Sequence, residues 1–436
     1  MQLLPVVSET GSTGPEICYM AQSALVLGGG MVGVCTAWHL RERGYDVTLV
    51  ERGTPGRETS YGNAGLIQRE AVEPYAFPHD VLKLAQVALQ RGNDVSYRLR
   101  DLLTVAPKLA QYWWNSFPSR YQGVVTGYEA LIRHCLSEHD RMISASGADN
   151  LISRQGWKQI FRTQKGFDAG AARSRLLTRE FGIESRILDP AGLAREEPAL
   201  KRTMAGAVHW TSPYSVSDPG GLVDRYAALL TASGGRILKG DARSLRPDGA
   251  GWCVDTREGT ISAEQAVITL GPWSDVVTRM LGYRLPLFVK RGYHRHFGWQ
   301  GTLNTPMIDT EAGVAMLPMA LGLRVTTGAE FALRDAPLSM RQIDGSERLA
   351  REMLDLGAPV EARPWLGSRP CTVDMLPLVG QAPSHRGLWF HFGHAHQGFT
   401  LGPATARLCA GMMNGEAPYI DPSPYRPSRF GRAAQV

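Results

Sequence analysis

Cysteine is scarce in this chain and never closely paired. The six cysteines, at positions 18, 35, 135, 253, 371 and 409 of 436, form no C-x-x-C pair. That spacing argues against a zinc ligand set or a disulfide framework, no metal site of any kind is read, and the usage suits a reducing cytoplasm. No apolar run reaches the ~18 residues that a membrane-spanning helix needs. Residues 1–19 lack a basic segment followed by an apolar one, so no secretory signal is read there. Charge of one sign never accumulates, because the net +6 is scattered. Without a Lys/Arg block there is no nucleic-acid arm, and the surplus reads as mild attraction to anionic substrates or membrane surfaces. Internal repeats and low-complexity tracts are also lacking. The 43% hydrophobic content is ample for real cores, in two domains or in one large domain with an insertion.

What is present begins with residues 24–51, ALVLGGGMVGVCTAWHLRERGYDVTLVE. Ala24 to Leu27 reads as a buried strand, Met31 to Arg43 as a helix that Gly44 stops, and Asp46 to Val50 as a second strand ending at Glu51. Between strand and helix stands G-x-G-x-x-G. Gly28 allows the tight turn, Gly30 admits a pyrophosphate to the backbone, and Gly33 lets helix and strand pack closely. Met31 and Val32 offer helix N-terminal N–H groups to the phosphates. Glu51 can accept both hydroxyls of an adenosine ribose, which disfavours a 2′-phosphorylated ribose. A lone glycine turn is often only a turn, but the whole strand–turn–helix–strand–acid unit reads as a dinucleotide site. The unit does not choose between FAD and NAD.

Along the rest of the chain, 56–67 reads as a Gly-rich loop with Thr59 or Ser60 capping, and 79–148 as helical. Helices are expected over 168–181, from Asp189 onward, from Ser217 or Asp218 to Ser233, over 340–356 and over 400–414. Residues 151–165 read as strands, 285–330 as half-buried antiparallel strands, 363–380 as Pro-rich and irregular, and 388–392 as a last strand. Trp113 and Trp114 read as core or interface aromatics. The fold class expected is α/β plus α+β. A Rossmann-like nucleotide domain is assembled from 23–78, 200–282 and 362–416. An inserted substrate domain with a mostly antiparallel sheet takes 79–199 and 283–361. Residues 1–22 read as a disordered extension and 417–436 as a surface tail.

Four stretches together resemble the D-amino acid oxidase superfamily of FAD enzymes. They are GGGMVG with Glu51, ETSYGNAG (58–65), AVITLGPWS (266–274), and GSRPCTVDMLPLVG (367–380) with FGHAHQGFTLGPATARL (392–408). They run in the family's order over nearly the whole chain, and the branch they resemble most is D-amino acid dehydrogenase. The resemblance implies noncovalent FAD, since Gly367 stands where a flavin-linking cysteine would. It adds Arg52, Thr59, Ser60, Asn63, Ala64, Gly65 and Leu66 to the cofactor site, then Gly271 and Trp273. The last segment contributes Gly393, His394, Gly398, Phe399 and Thr400, where a helix N-terminus would face the flavin.

For substrate, the resemblance implies that Arg369 forks onto an α-carboxylate, with Tyr293 as a second contact and His396 near the flavin. Arg291, His294 and His296 share a strand with Tyr293, so only one parity can reach the pocket. The implied reaction is oxidation of a D-amino acid to a 2-oxo acid and ammonia. Cyclic imino acids such as D-proline, or N-alkyl glycines such as sarcosine, are alternatives. Another is a flavin subunit of a heteromeric amine or opine dehydrogenase, and an NAD-dependent dehydrogenase is a third. The partners implied are the amino or imino acid and an electron acceptor: quinone, O₂ or another. Peripheral contact with the inner face of a membrane, a homodimer and a heteromeric complex are left open.

Overall fold

A computed structural model describes residues 22–90 and 92–434. The expected extension therefore falls, except for its last residue, outside the described residues. The elements that build the site are β1 (Ser23–Leu27), α1 (Met31–Arg41), β2 (Asp46–Glu51), α2 (Pro219–Ala232), β3 (Arg236–Lys239), β4 (Gln265–Ile268), β5 (Leu287–Phe297), β6 (Trp365–Thr372), β7 (Leu378–Gln381), β8 (Leu388–Phe392) and α3 (Gly398–Met413).

One six-stranded sheet runs β3-β2-β1-β4-β8-β7, parallel except for the β7–β8 pair. Its central strands are apolar without alternation because layers cover both faces. On one face α1 packs against α2 and α3. Gly33 makes this close approach possible, since a Cβ there would stand 1.8 Å from the Gly28 carbonyl oxygen. A three-stranded meander of Arg246–Asp248, Gly251–Thr256 and Gly259–Ala263 adjoins the sheet.

The second large sheet has ten strands and is mostly antiparallel, with β5 third from one end of the strand order and β6 paired along β5. Two segments expected in the nucleotide domain join it instead: Gly206–Trp210 and β6. The stretch 363–380, expected to be irregular, contains β6 and β7. Its prolines misled the reading: among the described strands β6 forms a ladder with β5 alone, its other edge carrying just the isolated Cys371–His394 bridge, and Pro370 is tolerated there. β5 is not half-buried but covered on both faces.

The helical region also departs from expectation. Val95–Tyr97 is a strand between the helices Val81–Ala88 and Leu99–Asn115. The helices Pro118–Ile132 and Cys135–Ser146, expected in the insertion, pack on α3, and the second also packs on α2. His139 clamps them there, with Nε2 2.9 Å from the Phe399 carbonyl. Trp113 and Trp114 are 37% and 53% exposed and are not core. The C-terminal tail is docked by Tyr425, whose hydroxyl donates to the Gly127 carbonyl at 2.6 Å, and by the Arg429–Asp374 ion pair at 2.7 Å.

Candidate active site

A cavity of about 1060 Å³ runs between the two sheets. At one end β1 delivers its chain into Gly28, whose φ of 109° only glycine adopts freely. Gly28 also leaves no room for a side chain, since a Cβ would meet the Thr269 carbonyl oxygen at 2.9 Å. The Glu51 carboxylate at the end of β2 is held by the N–H groups of Gly29 (2.7 Å) and Gly53 (2.9 Å) and faces the cavity. Ser60 accepts from the Met31 N–H at 3.0 Å and so seats the 56–65 loop on the N-terminus of α1. Neither α1 nor α3 has an acidic residue in its first turn. Both helix N-termini therefore keep their positive ends toward the cavity, where Met31, Val32, Gly398 and Phe399 line it. An open glycine cradle, a carboxylate held by backbone and two positive helix ends fit a flavin dinucleotide.

The other expected cofactor residues divide by distance. Arg52 lies over the Trp273 ring at 4.3 Å and pairs with Glu58 at 2.6 Å, and it lines the cavity with Trp273 and Gly271. Thr59, Asn63, Ala64 and Leu66 also line it, as do Gly393 and His394. Asn63 Oδ1 accepts from the Gly65 N–H (2.8 Å) and the Leu66 N–H (3.3 Å), shaping the loop locally. Gly33, Gly65 and Thr400 stand one step back from the wall. Thr400 donates to the Leu66 carbonyl and accepts from the Gln68 N–H, each at 3.3 Å, and so pins that segment to α3.

The other end of the cavity is built on β5 and β6. Arg369 is enclosed in the molecule, and its open surface faces the cavity. Its Nη1 donates to the Gly328 carbonyl at 3.1 Å. No described carboxylate pairs with it, and burial lowers its pKa despite the opposing influence of nearby Cys371 and Tyr75. His396 lines the same end with its ring 4.5 Å from that of Tyr75. Burial and the neighbouring cations Arg369 and Lys290 push its pKa down to about 3, so the imidazole is neutral. His394 is likewise held down to about 3 by burial, with Nε2 3.0 Å from the Thr405 hydroxyl.

Tyr293, expected as a second carboxylate contact, lines the cavity, but its hydroxyl is engaged by neighbouring residues. Its hydroxyl donates to Glu330 at 2.6 Å and accepts from Arg291 (3.0 Å) and from the Ser339 N–H (3.2 Å). Both lone pairs and the proton are spent, leaving nothing for a carboxylate. The reason is strand parity. Arg291 and the Tyr293 hydroxyl bond to the 330–339 segment, whereas Lys290 and Gly292 line the cavity with Arg369, and Tyr293 lines it as well.

Several residues were not foreseen. Arg324, 2% exposed, donates to the carbonyls of Tyr61 (3.0 Å) and Asn63 (2.5 Å) and through Nε to His296 at 2.9 Å. His296 accepts there and gives its Nδ1 proton to Glu361, so it is a neutral bridge. Burial brings the Arg324 pKa down to about 10. This arginine stitches the cofactor loop to the substrate sheet. Trp365 fills the space that Gly62 and Gly367 leave open and stacks on His294 with centroids 4.9 Å apart. Behind the loop, Glu70 accepts from Trp157 (2.8 Å) and Gln68 (2.9 Å), and burial raises its pKa to about 7. The visible signal for Trp365 was the pair of glycines. Arg324 gave none, because its partners are backbone carbonyls distant in sequence.

The chain is similar to known proteins over most of its length. The family model described as DAO, FAD dependent oxidoreductase, matches residues 23–412. A D-amino acid dehydrogenase of Cereibacter sphaeroides is 30% identical over 421 residues, covering 91% of this chain and 93% of that protein. A D-amino-acid oxidase of Bradyrhizobium diazoefficiens is 28% identical over 414 residues, covering 93% of this chain and 98% of that protein. Glycine oxidase from Geobacillus kaustophilus shares the fold with a TM-score of 0.69 at 22% identity, covering 93% of this chain and 97% of that one.

Proposed function

The chain belongs to the DAO family of FAD-dependent oxidoreductases, and from that premise we propose that it oxidises D-amino acids to 2-oxo acids and ammonia. The observation that carries this reading is Arg369, an enclosed guanidinium with no carboxylate partner among the described residues, facing the cavity beside a neutral His396. A planar fork in a water-poor site suits an α-carboxylate. The two relatives named for D-amino acids support the choice of isomer.

FAD held in the glycine cradle would supply a two-electron acceptor for the Cα–H, and the imino acid released would take up water to give the 2-oxo acid and ammonia. The protein's own residues supply orientation and electrostatics. Arg369 holds the carboxylate, the neutral His396 avoids repelling a substrate amine, and the N-terminus of α3 presents positive potential to the cavity. No described cysteine lines the cavity. At position 367 a side chain would collide with the Trp365 ring 2.0 Å away. Both observations support noncovalent FAD.

The test is anaerobic mixing of the purified holoprotein with paired D- and L-amino acids, D-proline and sarcosine, following the visible flavin absorbance. Loss of colour with D-isomers alone supports the reading. Loss with sarcosine alone moves it to N-alkyl amino acids.

A further inference from the structure

Lys290 has no task in the reading above. It stands on β5 directly opposite Arg369 on β6, and residues opposite one another in an antiparallel pair share a face. Two residues along that face, Gly292 has no side chain, and a Cβ there would fall 2.6 Å from Arg369 Nη2. The guanidinium thus lies across β5, beside Lys290. Both side chains line the cavity.

The surroundings of Lys290 are aromatic rather than acidic. Its Nζ donates to the Tyr112 hydroxyl at 2.8 Å and lies 4.2 Å from that ring's centroid, with Phe288 and Phe331 each at 5.9 Å. Tyr112 gives its own proton to the Tyr75 carbonyl. One phenol oxygen therefore serves an ammonium with three donors. No described carboxylate pairs with Lys290 or Arg369. Two other buried cations are paired: Lys158 meets Glu197 at 2.6 Å, and Arg291 meets Glu330 at 3.2 Å, while buried Arg324 is held by two carbonyls and His296. Burial and the Arg369 charge together hold Lys290 below the usual lysine range.

Two enclosed neighbouring cations repel each other, and one α-carboxylate on the Arg369 fork leaves the second uncompensated. We infer that Lys290 is an anion subsite for the substrate side chain, and that the preferred substrates are amino acids carrying a second carboxylate. The aromatic walls exclude water from the pair and strengthen it. This inference rests on the proposed D-amino acid reading for the isomer, but not for the second anion.

The experiment uses the holoprotein and the matched pairs D-glutamate with D-glutamine and D-aspartate with D-asparagine. The second-order rate constant of anaerobic flavin reduction is expected to favour an acid over its amide by about tenfold or more. Lys290→Met is expected to cut that ratio by about tenfold, and Lys290→Arg to retain most of it. A binding arm compares 2-oxoglutarate with 2-oxopentanoate through the perturbed flavin spectrum, where Lys290→Met should weaken 2-oxoglutarate selectively. Equal rates for acid and amide in the unaltered protein overturn the inference even if no variant folds. An equal effect of Lys290→Met on acid and amide also overturns it, leaving Lys290 as a donor to Tyr112 only. If no D-amino acid reduces the flavin, the D-amino acid reading fails, and the 2-oxoglutarate arm still decides the role of Lys290.

Discussion

Arg369 and Tyr293 carry opposite predictions, although both were read from the sequence as carboxylate contacts. Arg369→Met should lower the second-order rate constant for flavin reduction about 100-fold or more, since it removes the partner of an enclosed anion. Arg369→Lys should recover only part of this, because a point charge replaces a fork. Tyr293→Phe should leave KM for D-amino acids nearly unchanged and lower Tm, because it unties Glu330 and Arg291 at a cost of about 1–3 kcal/mol. A large rise in KM would restore the original reading. Glu70 makes a pH prediction. Its pKa is raised from 4.5 to about 7 by burial, so its contribution is fully present below the unfolded value and is lost as pH rises through about 7. Glu70→Gln keeps an acceptor for Trp157 and Gln68 without the charge. Its gain in Tm should appear above about pH 7 and vanish below about pH 5, as thermal melts across that range would show.

Among elements, β5 shows where sequence reading stops. The stretch KRGYHRH announced a pocket strand, but side chains alternate and the sequence does not say which parity faces in. Gly292 held the clue, because a residue without a side chain in a pocket strand makes room for a neighbour. β6 was missed for another reason, since two prolines outweighed its pairing with β5. β1, α1 and β2 were legible at once, because strand, glycine turn, helix and acid are all local signals. The helices of 118–146 were seen, but their attachment to α3 was not, because docking through His139 to the Phe399 carbonyl is a contact far apart in sequence. The tether from strand Gly322–Thr326 to the 56–65 loop gives a prediction at this scale. Arg324→Leu removes two donors to loop carbonyls. It should weaken FAD binding by about tenfold or more, measured by titrating apoprotein with FAD and following flavin fluorescence. Unchanged affinity would show that the loop holds its shape without the arginine.

For the whole molecule, two sheets enclose a long cavity, with the glycine turn and Glu51 at one end and the cations Arg369 and Lys290 at the other. Noncovalent FAD in that position should bind the folded state alone. Acid precipitation should leave all flavin in the supernatant, and added FAD should raise the Tm of the apoprotein in proportion to the logarithm of its concentration. Flavin retained in the pellet would contradict this. The most direct test of the central claim remains anaerobic reduction of the holoprotein by D- and L-isomers of the same amino acids, compared between the unaltered chain and Arg369→Met. The account predicts rapid loss of flavin colour with D-isomers only, and loss of that response in the variant. Reduction by L-isomers alone, or equal rates in the variant, would contradict it.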